Sequence, residues 1–466
     1  GLIAPITDAG ALVVAGVTEI DADRSDVTLD HSSSNLQGAV GASGLNVALT
    51  HNQSAGLILG DSTVTGTYDI TATTGSITDS GNLAITGLTT LVTSADGADI
   101  TLDGTGHTFT GNVKVTTNET GTNKDAHATI DGGSSAGLKI EKGSEVQGDL
   151  TLRSGHANTI TDAGDPGVVT VDGNLTATTY ANNGSITLDN LAVDGTIGLN
   201  THGTGDATVV NDNGLEFATT TVGGDLQATA TAGNIIQSGA LDIEGTTTLI
   251  TSASNASITL GTTSNAFTGA LIITTNDNDS GGTDGDVTIH GGTTALILGA
   301  STIEGDLILT STATGASGIT NTGTLNIRGT TTVSASGVDV SLNSALNNFQ
   351  GAVAIVGVNV TVVDANDIIL GTSTVTGTTT GYDITASGVT QSSGTALTVT
   401  GATTISATGN VTLDTAANDF LAAVKIVGVN VVVVDANAID LGASTVTGTY
   451  AVTATAGGDI TNSGVL

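Results

Sequence analysis

The chain of 466 residues has no Cys, no Met and no Trp, only 2 Pro, 5 Phe and 4 Tyr, and only 8 Lys plus Arg. Each shortage closes off a class of protein. Without cysteine there is no disulfide framework and no thiolate to serve as nucleophile or metal ligand. With so few large rings, an ordinary aromatic-rich globular core is out of reach. Eight cations against 44 Asp plus Glu, a net charge of −36, leave no cluster of Lys and Arg for phosphate contacts, so nucleic acid is not an expected partner. An anionic substrate is disfavoured on the same ground. Long apolar runs are missing too: IVGVNVVVV at 426–434 is too short to span a bilayer and carries Asn430, so no membrane insertion is expected.

What is present is glycine, 66 of them, and a hydrophobic content of 38% supplied mainly by Val, Ile, Leu and Ala, too much for a disordered chain. Many thin apolar layers satisfy both facts. The phrase STVTGTYDITAT at 62–73 returns as STVTGTYAVTAT at 444–455. Taken alternately, Val64, Tyr68, Ile70 and Ala72 fall on one side and Thr63, Thr65, Thr67 and Thr71 on the other, the period of a half-buried strand. Its skeleton, Ser/Thr-x-Val/Ile-x-Gly, recurs with Gly at 66, 148, 224, 305, 377 and 448. A second marker, ITDAG at 6, ITDSG at 77, ITDAG at 160, IIQSG at 235, ITNTG at 319, VTQSS at 389 and ITNSG at 460, divides the chain into units 6–76, 77–159, 160–234, 235–318, 319–388 and 389–459, with a seventh beginning at 460–466.

Imperfect repeats of roughly 75 residues could be separate sandwiches or coils of one solenoid. Immunoglobulin-like sandwiches need roughly 100 residues each, an aromatic anchor and linkers. Here turn residues punctuate the chain every nine or so positions, as in LDTAAND, VDAN and LGAS, and no linker intervenes. Short strands in coils of roughly 20 residues make three to four coils per unit. The expected fold is all-β: one continuous right-handed parallel β-solenoid (β-helix) over 1–466. Phe109, Phe267, Phe349 and Phe420 stand at matching places in their units, with Leu36 and Leu191 at the same place in two others, and Tyr68, Tyr382 and Tyr450 share a later position. These rings are expected inside, the four Phe as a structural ladder at one corner of the coil.

The strings ITDSGNLAITG, TTISATGNVTLD and VDANAIDLGASTVTGTY resemble the β-strand-repeat regions of large secreted bacterial surface proteins, the filamentous-haemagglutinin-like and autotransporter passenger adhesins. The resemblance covers essentially the whole chain. It implies a non-enzymatic, extracellular structural or adhesive rod or fibre segment at the bacterial cell surface, in adhesion, biofilm matrix or a surface filament, with surface glycans or other cells as partners. It implies no catalytic residues and no required cofactor. The alternative is a carbohydrate-binding or polysaccharide-degrading β-helix. GLIAPITDAG opens directly into a marker and ITNSGVL closes on one, so the chain is expected to continue in a longer protein or to self-associate into fibres.

Candidate sites are few. Asp277, Asp279, Asp284 and Asp286 in NDNDSGGTDGD have the composition of a calcium loop, and equally of an acidic turn. Asp364 and Asp435, in the two VDAN strings, are expected to cap turns through side-chain bonds to backbone. The histidines, at 31, 51, 107, 127, 156, 202 and 290, have no metal-spaced partners and read as solvent-facing. Lys114, Lys124, Lys139, Lys142 and Arg153 crowd into forty positions, either as a contact patch or as a solvated mixed-charge face beside Glu119, Glu141 and Glu145. The extra residues of the long units lie at 118–127 and 276–286, where a solenoid would project a loop sideways towards a partner.

Overall fold

The structure, a computed structural model, describes residues 4–121, 125–155, 159–164, 167–277, 285–314 and 318–466. Alternation becomes strand directly. In Val431–Asp435 the odd residues are buried and Val432 and Val434 half-buried, and most strands repeat this pattern. The fold is an all-β parallel β-solenoid, and the described residues contain no helix. Two compact units are present, residues 1–231 and 232–466.

In residues 232–466, Tyr382 pairs with Thr403, Thr403 with Val424, Val411 with Val431 and Val431 with Tyr450. A turn therefore takes roughly 20 residues, the length expected of a solenoid coil built from short strands. Each turn crosses two sheets, either as one straight strand or as two short strands joined at a kink. The repeat from 389 runs kinked pair (Val389–Gln391, Leu397–Val399), single strand (Thr403–Ala407), kinked pair (Val411–Leu413, Asp419–Phe420), single (Val424–Gly428), single (Val431–Asp435), kinked pair (Ile439–Leu441, Thr445–Val446) and single (Tyr450–Ala454). That is seven half-turns, with successive segments in alternating sheets. In residues 1–231 the repeat from 77 follows the same order, from Ile77–Asp79 and Leu83–Ile85 to Leu150–Ser154.

An odd number of half-turns has a physical consequence: each repeat begins on the sheet opposite to the one its predecessor began on. Val389–Gln391 lies in one sheet, and Ile319–Asn321 and Ile460–Asn462 in the other; within residues 1–231, Ile77–Asp79 and Ile160–Ala163 are likewise opposed. This corrects the expected Phe ladder. All four rings are buried, at 2% exposure or less. However, Phe267 and Phe420 belong to one sheet and Phe349 to the other, and no ring stacks on another. In the other unit, Phe109 and its counterpart Leu191 are opposed in the same way.

Each ring instead pairs with an aliphatic residue of the preceding turn: Ile85 with Phe109, Ile243 with Phe267, Ile327 with Phe349, Val399 with Phe420. These positions need bulk because the cross-section changes there. Asn348–Phe349 pairs with Leu325–Ile327 below, but the next segment of that sheet is the single strand Val360–Val363, which pairs with Val340–Leu342. The ring fills the step. Buried Asp364 closes it by accepting the Phe349 N–H at 3.0 Å and the Asn366 N–H at 2.8 Å, and Asp435 does the same for Phe420 at 2.9 Å and Asn437 at 2.7 Å, as expected of the VDAN carboxylates.

The recurring polar residues serve the same purpose. In the skeleton Ser/Thr-x-Val/Ile-x-Gly, the first residue is buried in all six copies, and Ser62, Ser301, Ser373 and Ser444 each accept a backbone N–H of the preceding turn, from Ala42, Ile273, Ile355 and Ile426 at 3.0–3.1 Å. Its glycine starts a column in which backbone lies on backbone: Gly329 N–H donates to the Gly305 carbonyl at 3.0 Å, and a Cβ on Gly329 would sit 2.5 Å from that carbonyl's carbon and oxygen. The two longest insertions, 118–127 and 276–286, both fall where two single strands follow one another, between Val113–Asn118 and Ala128–Asp131 and between Ala270–Asn276 and Val287–His290.

Candidate functional site

The residues singled out for calcium are only partly described. Asp279 and Asp284 lie outside the described residues. Asp277 Oδ2 is 2.9 Å from Arg328 Nη1, and Asp286 Oδ1 accepts the Asp306 N–H at 2.7 Å, a corner bond. Among the described residues no group of three His, Asp or Glu side chains is placed to hold a metal ion.

Two of the histidines are not solvent-facing: His51 and His107 are buried, at 1% and 0% exposure, while His156 lies outside the described residues. His107 occupies a corner that other repeats give to asparagine. Its Nδ1 accepts the Leu83 N–H at 3.1 Å, as Asn265, Asn347 and Asn418 Oδ1 accept from Leu241, Leu325 and Leu397 at 2.9–3.0 Å. The sequence marker supplies the second partner, Gln237 for Asn265, Asn321 for Asn347 and Gln391 for Asn418. For His107 it is Asp79, 3.3 Å from Nε2 but without hydrogen-bond alignment. Burial pushes the His107 pKa below 6.5, with Asp79 pulling the other way. The fold therefore favours neutral imidazole: the stability it contributes is complete above 6.5 and is lost as pH falls through the lowered value. His107→Asn is expected to keep the corner bond and to reduce the acid loss, read from denaturant midpoints at about pH 7 and about pH 5.

The cations do not form one patch. Lys114 and Lys139 stand on strands of one sheet and Lys142 beside them, 3.8 Å from Asp189, whereas Arg153 is on the opposite sheet and Lys124 lies outside the described residues. Arg153 makes no ion pair among the described residues. Its register partner Asp131 is buried, accepts the Gly133 N–H at 2.8 Å and acts on His107.

Arg153 instead faces a groove of ≈ 500 Å³ on the outer face of Leu150–Ser154, Leu175–Asn182, Thr196–His202 and Thr220–Val222. The register lays Arg153, Thr178, Asn200 and Thr221 in one row across these strands, roughly 14 Å at the usual spacing. Beside this row, further along the strands of Thr178 and Asn200, stand Tyr180 and His202. Tyr180 is 53% exposed, whereas the Phe residues, Tyr68 and Tyr382 are buried and Tyr450 is half-buried.

A bulge positions Tyr180. Between the pairs Thr178–Asn200 and Asn182–His202 the strand gains two residues. The Thr179 hydroxyl turns inward to the Gly184 carbonyl at 2.9 Å, and Asn183 adopts φ 67° to complete the bend. The same bulge recurs with Thr93 donating to the Ala98 carbonyl and Gly97 at φ 66°, and with Thr251 donating to the Ala256 carbonyl and Asn255 at φ 66°. The outward residue is Ser94 and Ser252 in those copies and Tyr180 here. His202 Nδ1 lies 2.8 Å from the Thr179 carbonyl; a carbonyl only accepts, so Nδ1 carries the proton and Nε2 is left as an acceptor. Sequence reasoning passed over Tyr180, although its break from the Tyr register and the inward Leu175, Ala177 and Thr179 mark it as outward-facing.

A family model for repeats of unknown function (DUF5649) matches residues 4–43, 44–116, 204–274, 284–356, 357–427 and 428–466. The matches beginning at 44, 204, 284, 357 and 428 start at the junction of two consecutive single strands, half a repeat from the sequence markers. The stretch 117–203, which holds Arg153, Tyr180 and His202, lies between matches. No curated protein and no solved structure matches the chain.

Proposed function

For a chain that belongs to this family of repeats of unknown function, we propose a non-enzymatic structural and adhesive role: an extracellular rod or fibre segment of a bacterial surface protein. The observation that carries it is where the repetition lies. The residues that recur are the buried Ser or Thr of the skeleton, the corner Asn or His, the stacked glycines and the Phe or Leu at each step, all of which join one turn to the next. Outward positions vary, as Ser94, Tyr180 and Ser252 do on one bulge. A recurring frame with a variable surface suits presentation to a partner better than a reaction, which needs one fixed constellation. The net charge of −36 suits solubility of such a segment in salt-rich surroundings, and the likeness to filamentous-haemagglutinin-like and autotransporter passenger adhesins belongs to the same proposal.

The test is surface labelling of intact producing cells with an antibody raised against this chain, followed by an attachment assay on cells in which residues 1–466 are deleted. The expected result is label without permeabilisation and reduced attachment. Label seen only after permeabilisation, or undiminished attachment, would overturn the proposal. The groove at Arg153 and Tyr180 favours, as a second reading, saccharide binding over saccharide cleavage, because among the described residues none lining it is acidic and paired carboxylates are what glycoside hydrolysis requires.

A further inference from the structure

We propose that the groove on Leu150–Ser154, Leu175–Asn182 and Thr196–His202 binds a carboxylated saccharide, with the Tyr180 ring against the C–H face of a sugar and the Arg153 guanidinium holding its carboxylate. This rests on the adhesive reading and names the chemistry of its partner. Three independent observations meet here. Tyr180 replaces the serine that the same bulge presents elsewhere, so the frame does not require it, and at 53% exposure its ring is open to a ligand. A tyrosine so placed offers a large, rigid, amphipathic contact at small entropic cost. Arg153 is one of only 8 Lys and Arg and makes no ion pair among the described residues, leaving its planar fork of donors for an outside acceptor.

The third observation is the lining between them. Thr178 and Asn200 share the row of Arg153, and His202 offers Nε2 as an acceptor, so hydroxyl donors and acceptors of a sugar ring both find partners. In a chain with 44 Asp and Glu, no lining residue among the described ones is acidic. Most of the overall charge acts at long range, where at about 0.15 M salt charges beyond about 8 Å are largely screened; the near carboxylate, the register partner Asp131, is buried and occupied by the Gly133 N–H, which leaves Arg153 as the charged residue lining the groove.

The experiment uses the full chain in calorimetric titrations with a galacturonate hexasaccharide, its methyl ester and a sialylated trisaccharide. Two variants accompany it: Tyr180→Ser, which installs the residue found on the equivalent bulges and so should fold unchanged by circular dichroism and melting, and Arg153→Gln. The expected result is saturable binding of at least one acidic sugar, weakened about tenfold or more by either variant, with the methyl ester bound about equally weakly by the parent chain and by Arg153→Gln. Preference between galacturonate and sialic acid separates a matrix polysaccharide from a cell-surface glycan as the source. No binding of either acidic sugar, or binding that both variants leave intact, overturns the inference. If intact cells attach through this chain while neither sugar binds, the groove assignment fails and the adhesive reading stands. Binding of an acidic sugar by a chain that never reaches the surface would do the reverse, keeping the groove and removing the adhesive role.

Discussion

Phe349→Ala is expected to destabilise the turns on either side of it by about 3 kcal/mol, among the largest losses a single truncation can produce here. The ring is 1% exposed, stands on Ile327 and occupies the step where the kinked pair ending in Asn348–Phe349 gives way to the single strand Val360–Val363. Removing it leaves a void that flanking strands cannot close without breaking the bonds from the Phe349 and Asn366 N–H groups to Asp364. Because the turns of a solenoid contact mainly their neighbours, the loss should appear as faster amide exchange confined to the adjoining turns. Phe349→Leu should recover most of it, since leucine fills the equivalent position at Leu191, also 1% exposed. A loss below about 1 kcal/mol for the alanine variant would show that the ring is not what fills the step.

Gly329→Ala is expected to cost about 2–3 kcal/mol by the opposite mechanism, overpacking. The added methyl would lie 2.5 Å from both the carbon and the oxygen of the Gly305 carbonyl and against Asp306 Oδ1. The obstacle is backbone that already accepts the Gly329 N–H at 3.0 Å, so relief requires two turns to separate at that corner. The glycine is demanded by space and not by an unusual φ. Gly261→Ala is the control, because nothing lies within 4 Å of its would-be Cβ; it should be neutral or gain a few tenths of a kcal/mol from the stiffer unfolded chain. Equal melting temperatures for the two variants would mean that the glycine column is not close-packed.

Much of the frame was legible in the sequence because its signals are local. Strict alternation, as in Val431–Asp435, reports strand whatever the strand packs against, and the recurrence of Ser-x-Val-x-Gly reports a repeating coil. The capping role of Asp364 and Asp435 could be read from equal offsets, since a capped turn is itself a local object. The corner partnership of His107 with Asp79 was not legible, because the two belong to successive turns and meet only after a full turn closes. His107 looked solitary for the same reason.

By itself, then, the sequence determined an all-β chain of strand repeats, the burial of Phe109, Phe267, Phe349 and Phe420 and of Tyr68 and Tyr382, and an excess of acid that leaves almost no cation to spare. Tertiary structure decided which residues share a face. A repeat of seven half-turns places equivalent positions on opposite sheets, so Phe349 parts from Phe267 and Phe420 although all stand at matching offsets. The same closure brings Arg153, Thr178 and Asn200 into one row, with Tyr180 and His202 beside it, further along the strands of Thr178 and Asn200. The reason is geometric: inward or outward depends on a residue's immediate neighbours, whereas company across strands depends on how many residues each turn consumes, and kinks and bulges settle that number one turn at a time.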